Sequence, residues 1–192
     1  NRKMAVHICQ GANWTPATAL EWNVLRRMLG QGMLDDYLMT GDPAAREAVL
    51  GLGEAYRQNI PVLTAGSQPS VEITERNMAW PIMGLASYYA LDQRAEVLSS
   101  LRQLVDRTLA WQSRTTSGAF EHDINRPDPT ECSNGPNGAS PFMTSLLVDG
   151  LMDYHQLTQD ARISESVRKV AVWFRDKAIT TDGKAFRYLW NC

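Results

Sequence analysis

The sequence predicts an all-α protein built of three consecutive αα-hairpins in two layers, and three observations predict it. The first is a frame that occurs three times: Gly32 to Asp42 (GMLDDYLMTGD), Gly84 to Asp92 (GLASYYALD) and Gly150 to Asp160 (GLMDYHQLTQD). Aligned on their glycines, these stretches put Tyr37, Tyr89 and His155 in one column, Met39, Leu91 and Leu157 in a second, and Thr40, Asp92 and Thr158 in a third. The spacing exceeds that of the common short solenoid repeats, and the second unit carries an insertion. The second observation is that cap-then-proline signatures open helices at Thr15-Pro16, Asp42-Pro43 and Ser140-Pro141, the second of them directly after a tight stop at Gly41. The third is an order of elements, a mostly apolar helix followed by an amphipathic one, with the second set shielding the first.

Thr15-Pro16 gives the first helix start, and Leu20, Val24, Leu25, Met28, Leu34, Tyr37 and Leu38 carry its period to Thr40. Gly30 and Gly32 mark a bend or a close neighbour, and Gly41 ends the helix. Asp42-Pro43 restarts the chain at once, so the next helix runs back antiparallel, with Val49, Leu52 and Tyr56 on one side and Arg46, Glu47, Glu54 and Arg57 toward water. It is expected to end near Asn59, ahead of Pro61.

After the polar stretch from Thr64 to Ser70, a new helix starts around Thr74; Met78, Ile82, Met83, Leu85, Ala86, Tyr89 and Ala90 make it apolar over most of its circumference. Its partner, Arg94 to about Trp111, carries one stripe of Val97, Leu98, Leu101, Leu104, Val105 and Leu109. Residues 112–140 are rich in Gly, Pro, Asn, Asp, Ser and Thr without period, a long loop of the kind that carries function. Ser140-Pro141 opens the third hairpin, where Phe142, Met143, Leu146, Leu147, Leu151 and Tyr154 place the first helix in the core, and Ile163, Val167, Val170 and Phe174 form the second stripe. Thr181 to Cys192 is aromatic-rich and non-helical, with a short strand at Phe186, Tyr188 and Trp190. The hairpins thus span about 15–60, 74–112 and 140–180 of a single domain, 1–192. Connections within hairpins are tight and those between them long, so the loop-rich end is where a site is expected.

At 192 residues and 44% hydrophobic, the chain is long enough for one sizeable core. A formal net charge of −2 offers no cationic field for nucleic acid or an anionic membrane. No apolar run approaches the roughly 20 residues a membrane helix needs, and the first residues lack a signal-type apolar core, so the chain reads as soluble. Beginning at Asn1, it is expected to be a processed or excised piece. Cys9, Cys132 and Cys192 lie in no CxxC motif and cannot all pair; free thiols are favoured over one bridge, which export would permit. No cluster points to a metal, and no cofactor is implied.

GMLDDYLMTGDPAAREA resembles the signature GL-x-x-YYLLTGDPRALEA of (α/α) toroid proteins, the six-hairpin glycosidase-like group that includes polysaccharide lyases and unsaturated glycuronyl hydrolases. TERNMAWPIMGLASYYAL and SPFMTSLLVDGLMDYHQLTQD are similar to later hairpins of such proteins. The resemblance implies a partial (α/α)6 toroid: three hairpins are half of six, the rest coming from a longer chain or another subunit unless the array stays open. It also implies an acidic poly- or oligosaccharide as partner, lyase or glycoside hydrolase chemistry, and a periplasmic or extracellular location.

In such a toroid the cavity mouth is lined by His7, Trp14 and Glu21, by Glu75, Arg76 and Trp80, and by Glu121, His122 and Asp123. Helix N-termini favour anionic sugars, Arg76 supplies a bidentate carboxylate partner, and Trp14 or Trp80 a flat face for a sugar ring. Against this stand plainer roles: a dipole-favoured acid, a solvated base and core tryptophans. Glu121-His122-Asp123 is the one place where two acids flank a histidine, which suits general acid/base chemistry, although charged loop residues are ordinarily just hydrated. A lyase would use His122 as base with Arg76 neutralising the uronate; a hydrolase would lean on Glu75, Glu121 or Asp123. His155, in the Tyr column, is read as a core or interhelical histidine, and Asp35, Asp36, Asp149 and Asp153 lie away from the loop-rich end. The alternative is a non-catalytic helical-repeat scaffold binding a protein or peptide along its loop-rich rim.

Overall fold

The frame that repeats in sequence also repeats in three dimensions. The computed structural model describes residues 30–64, 74–122 and 137–191. Six α-helices occur among them: α1 (Gln31–Thr40), α2 (Pro43–Thr64), α3 (Glu75–Leu91), α4 (Ala95–Gln112), α5 (Pro141–Thr158) and α6 (Ala161–Trp173), the last running into a π-helical turn, Phe174–Ala178. The protein is all-helical, and extended pairing among the described residues is limited to isolated bridges. The expected helix start at Thr15, all three cysteines and the candidates His7, Trp14, Glu21 and Asp123 lie outside the described residues.

The return helices α2, α4 and α6 begin at Pro43, Ala95 and Ala161, the same position in each copy of the frame. In two copies the turn chemistry is shared. Gly41 (φ 73°) and Gln159 (φ 56°) take the left-handed conformation, and their N–H groups donate to the carbonyls of Tyr37 (2.8 Å) and His155 (2.7 Å). Asp42 and Asp160 then accept the N–H groups of Ala44 (2.8 Å) and Arg162 (3.0 Å) and cap the return helices. The middle copy has Arg94 in place of the aspartate, and its first helix closes one residue sooner, through Asp92 N–H to the Tyr88 carbonyl at 2.9 Å. His155 belongs to this turn architecture, its Nδ1 lying 2.9 Å from the Asp160 carbonyl oxygen.

Asp160 does more than cap. Its carboxylate also accepts from the Arg162 guanidinium (2.6 Å) and the Tyr154 hydroxyl (3.3 Å). The Arg162 contact, working against partial burial, holds the carboxyl down to about 2. A depressed acid stabilises the fold above its ordinary value near 3.8 and loses that contribution as pH falls toward 2. Asp160→Ala is expected to lower stability by about 1 kcal/mol. Asp160→Asn keeps the cap but flattens the loss of melting temperature between about pH 4 and 2, which thermal unfolding across that range would read.

Two compact units divide the chain, one formed by Asn1–Val71 with Trp80–Val105 and the other by Glu72–Ala79 with Asp106–Cys192. In the first, Val49, Leu52, Tyr56 and Ile60 of α2 are buried with Ile82, Met83, Leu85, Ala86 and Tyr88 of α3 and Val97, Leu101, Leu104 and Val105 of α4. Two glycines allow α2 and α3 to interlock: the Tyr56 ring occupies the space a side chain at Gly84 would need, and the Tyr88 ring does the same at Gly53. Burial pushes the Tyr56 phenol above its usual range. Gly30, just before α1, is the glycine of close approach, 3.4 Å from the Gly84 Cα at its Cβ position, whereas Gly32 faces open space.

Three of the helices depart from the sequence expectations. Helix α2 passes Pro61 and ends at Thr64. The missing N–H forfeits one bond, to the Arg57 carbonyl on a partly exposed turn, while buried Ile60 anchors the helix immediately before it. Among its described residues α1 buries no side chain fully, with Leu38 67% and Met39 80% exposed. Phe142 is 63% exposed, because the buried stripe of α5 is Thr144, Leu147, Leu151 and Tyr154, and a residue two before Thr144 falls on the opposite face.

In the second unit Trp111, Phe120, Leu147, Leu151, Tyr154, Ile163, Val170 and Trp173 form the core. Residues 113–122, read from sequence as loop, fold tightly onto it. Gln112 donates to the Gly118 carbonyl (2.8 Å) and exchanges hydrogen bonds with Ser166, while Trp111 stacks obliquely on Phe120 at 5.3 Å. At the C-terminal end, the expected strand is replaced by bridges at Phe186 and Trp190, with Trp190 edge-on to Trp173 at 6.0 Å.

Candidate functional site

Thr74 precedes helix α3, its hydroxyl accepting the Asn77 N–H (3.3 Å), and Glu75 opens the first turn, where the helix dipole favours a carboxylate. Glu75 does not reach solvent. It is 0% exposed; its Oε1 accepts the N–H of Ser140 (2.9 Å) and the hydroxyl of Thr144 (3.5 Å), and its Oε2 lies 2.8 Å from Nδ1 of His122, whose side chain is 7% exposed. Ser140 is itself the cap of α5, its hydroxyl accepting from Met143 N–H at 3.5 Å. One carboxylate therefore joins the starts of two helices to the His122 segment of the loop.

Backbone pairing fixes the segments that carry this cluster. His122 and Gly138 exchange both hydrogen bonds (2.8 and 2.9 Å), and Ala139 and Trp190 do likewise (3.4 and 2.9 Å). Asn191 adds a side-chain bond to the Asn137 carbonyl at 2.7 Å. Residues 137–139 thus form the middle of a three-segment clasp with His122 on one side and Trp190 on the other.

Of the residues singled out from sequence, Glu75 and His122 meet. Arg76, next to Glu75, is exposed. Glu121 is directed elsewhere: its carboxylate accepts from the Ser117 hydroxyl (2.5 Å) and its carbonyl from the Trp111 indole N–H (2.6 Å). Trp80 is half-buried and belongs to the first unit. Asp35, Asp36 and Asp149 are exposed on their helices. Ser140 and Thr144 were missed as partners of the acid. Their only sequence signal was the cap-proline start at Ser140, which announces a helix and not a ligand for a carboxylate.

A buried carboxylate beside Nδ1 sets the position of an imidazole ring, the arrangement in which an acid prepares a histidine to take and return a proton. Among the described residues no group of three or more His, Cys, Asp and Glu side chains is placed to hold a metal ion, and no helix is long and apolar enough to cross a membrane. Fold and site together define a helical-hairpin repeat protein with a buried Glu–His couple at the start of its hairpin helices. No family model matches the chain, no curated protein matches it, and no solved structure matches it.

Proposed function

We propose that the chain is a carbohydrate-active domain of the (α/α) toroid type that acts on an acidic poly- or oligosaccharide as a lyase. The observation that carries this reading is the 2.8 Å contact between buried Glu75 and His122 at the start of a hairpin helix. Glu75 orients the ring; His122 takes the proton from the carbon bearing the uronate carboxylate. Exposed Arg76, on the same first turn as Glu75, neutralises that carboxylate. The electron pair of the broken C–H bond forms the C=C bond as the neighbouring C–O bond breaks, and the proton held by the imidazole passes to the departing oxygen. A hydrolase is less well served, since the Glu75 carboxylate is engaged by Ser140 and Thr144 and that of Glu121 by Ser117.

A screen of uronate polysaccharides, followed by the ultraviolet absorbance of unsaturated products, tests this. Turnover is expected with at least one of them. His122→Gln should lower it by about 10²-fold or more, the scale of a lost general base, and Arg76→Ala should lower it while raising KM. Unchanged turnover in both variants removes the assignment. The same burial of Glu75 and Ser140 favours a second reading, a non-catalytic scaffold whose Glu–His couple only holds the clasp closed. Absence of both binding and turnover across the screen would favour it.

A further inference from the structure

Beyond the π-helical turn the chain doubles back. Thr180 N–H donates to the Ala185 carbonyl and Arg187 N–H to the Ala178 carbonyl, both at 2.8 Å, through a turn with Gly183 at φ 71°. This return puts Arg187 on the same open cleft as Arg175 and Lys177, lined also by Thr181, Trp190 and Asn191 and of about 550 Å³, within the range of small-ligand sites. Asp176, the one carboxylate in the lining, is engaged by Arg175 through a two-point contact (2.5 and 2.8 Å). Among the described residues no ion pair engages Lys177 or Arg187. In a chain of formal net charge −2 this is a local cationic excess.

We propose that this cleft binds the acidic saccharide, with a carboxylate taken by Arg187 and Lys177 and a sugar ring laid against Trp190. Arginine offers the planar fork that matches a carboxylate, and Lys177 adds a point charge. Trp190 is half-buried and held edge-on by Trp173, so its apolar surface is presented without loss of side-chain freedom on binding. The cleft is joined to the Glu75–His122 couple by the clasp: Trp190 pairs with Ala139, Asn191 with Asn137, and the adjoining Gly138 with His122. The identity of the ligand rests on the carbohydrate reading; the cleft's preference for an anion rests on its own charges.

Calorimetric titration of the intact chain with an oligouronate, a neutral oligosaccharide of equal length and inorganic phosphate tests the inference. The oligouronate is expected to bind with an affinity that falls as salt is raised. Arg187→Gln and Lys177→Gln should each weaken binding at least tenfold at unchanged melting temperature, with partial recovery in Arg187→Lys. Equal affinity for the neutral sugar, unchanged binding in both variants, or phosphate binding that the oligouronate does not displace would overturn it. His122→Gln separates the two readings. If it alone abolishes turnover while the Arg187 and Lys177 variants bind normally, the cleft assignment fails and the catalytic one stands. If the cleft variants lose binding while turnover is absent or insensitive to His122, the reverse holds.

Discussion

Glu75→Ala is expected to cost about 2–4 kcal/mol of stability, on the scale of leaving buried donors without their acceptor. The size follows from what the carboxylate satisfies, the Ser140 N–H and the Thr144 hydroxyl, both at buried residues, with His122 Nδ1 packed 2.8 Å from its other oxygen. With alanine, two donors lose their acceptor in a site that offers no replacement. Glu75→Gln keeps an amide oxygen for Ser140 and should cost less. Urea unfolding of the three proteins reads the order wild type, Gln, Ala; coincident midpoints for wild type and Ala would show that the clasp does not depend on this residue. The experiment also bears on the lyase proposal, under which Glu75→Gln should remain folded but hold the His122 ring less well, and so lose turnover out of proportion to stability.

Gly84→Ala is expected to destabilise by about 1–3 kcal/mol, the cost of forcing an extra methyl into a packed interior. In an exposed helix the same change would be favourable, because alanine is the better helix former. The sign is reversed here because the Tyr56 ring, 0% exposed, already fills the volume the new Cβ requires and has no open side to retreat to. Tyr56→Leu alone should also destabilise, by leaving a cavity. Combined with Gly84→Ala it should cost less than the sum, and thermal melts of the four proteins measure that coupling. Strict additivity would mean that the two residues do not share the space. Gly53 and Tyr88 form the reciprocal pair, in which the same pattern is expected.

Much of the candidate site was hidden in the sequence for one reason: its bonds join residues far apart in the chain. Glu75 could be read as a dipole-favoured acid and His122 as a histidine between two acids, but neither position says that they meet, nor that Ser140 and Thr144 close around the carboxylate. Glu121 had as strong a local pattern as His122, yet Ser117 draws its side chain away. The cationic cleft was less legible still. Arg175, Lys177 and Arg187 look like ordinary surface charges until the turn through Gly183 brings the last of them to the same cleft as the other two.

The sequence by itself determined the helical class, the three-fold frame and the turns that stop and restart the chain. Gly41, Asp42, Ser140 and Asp160 act within four residues of themselves, so their chemistry is local and readable. Only the tertiary structure decided that α2 passes Pro61, that Phe142 lies outside the core and Phe120 inside it, and that Glu75 faces His122. Each of these depends on which face a neighbouring element covers. Helical periodicity supplies candidate faces, but packing selects among them, because the free energy of burying Ile60 or enclosing a paired carboxylate exists only once the partner is in place.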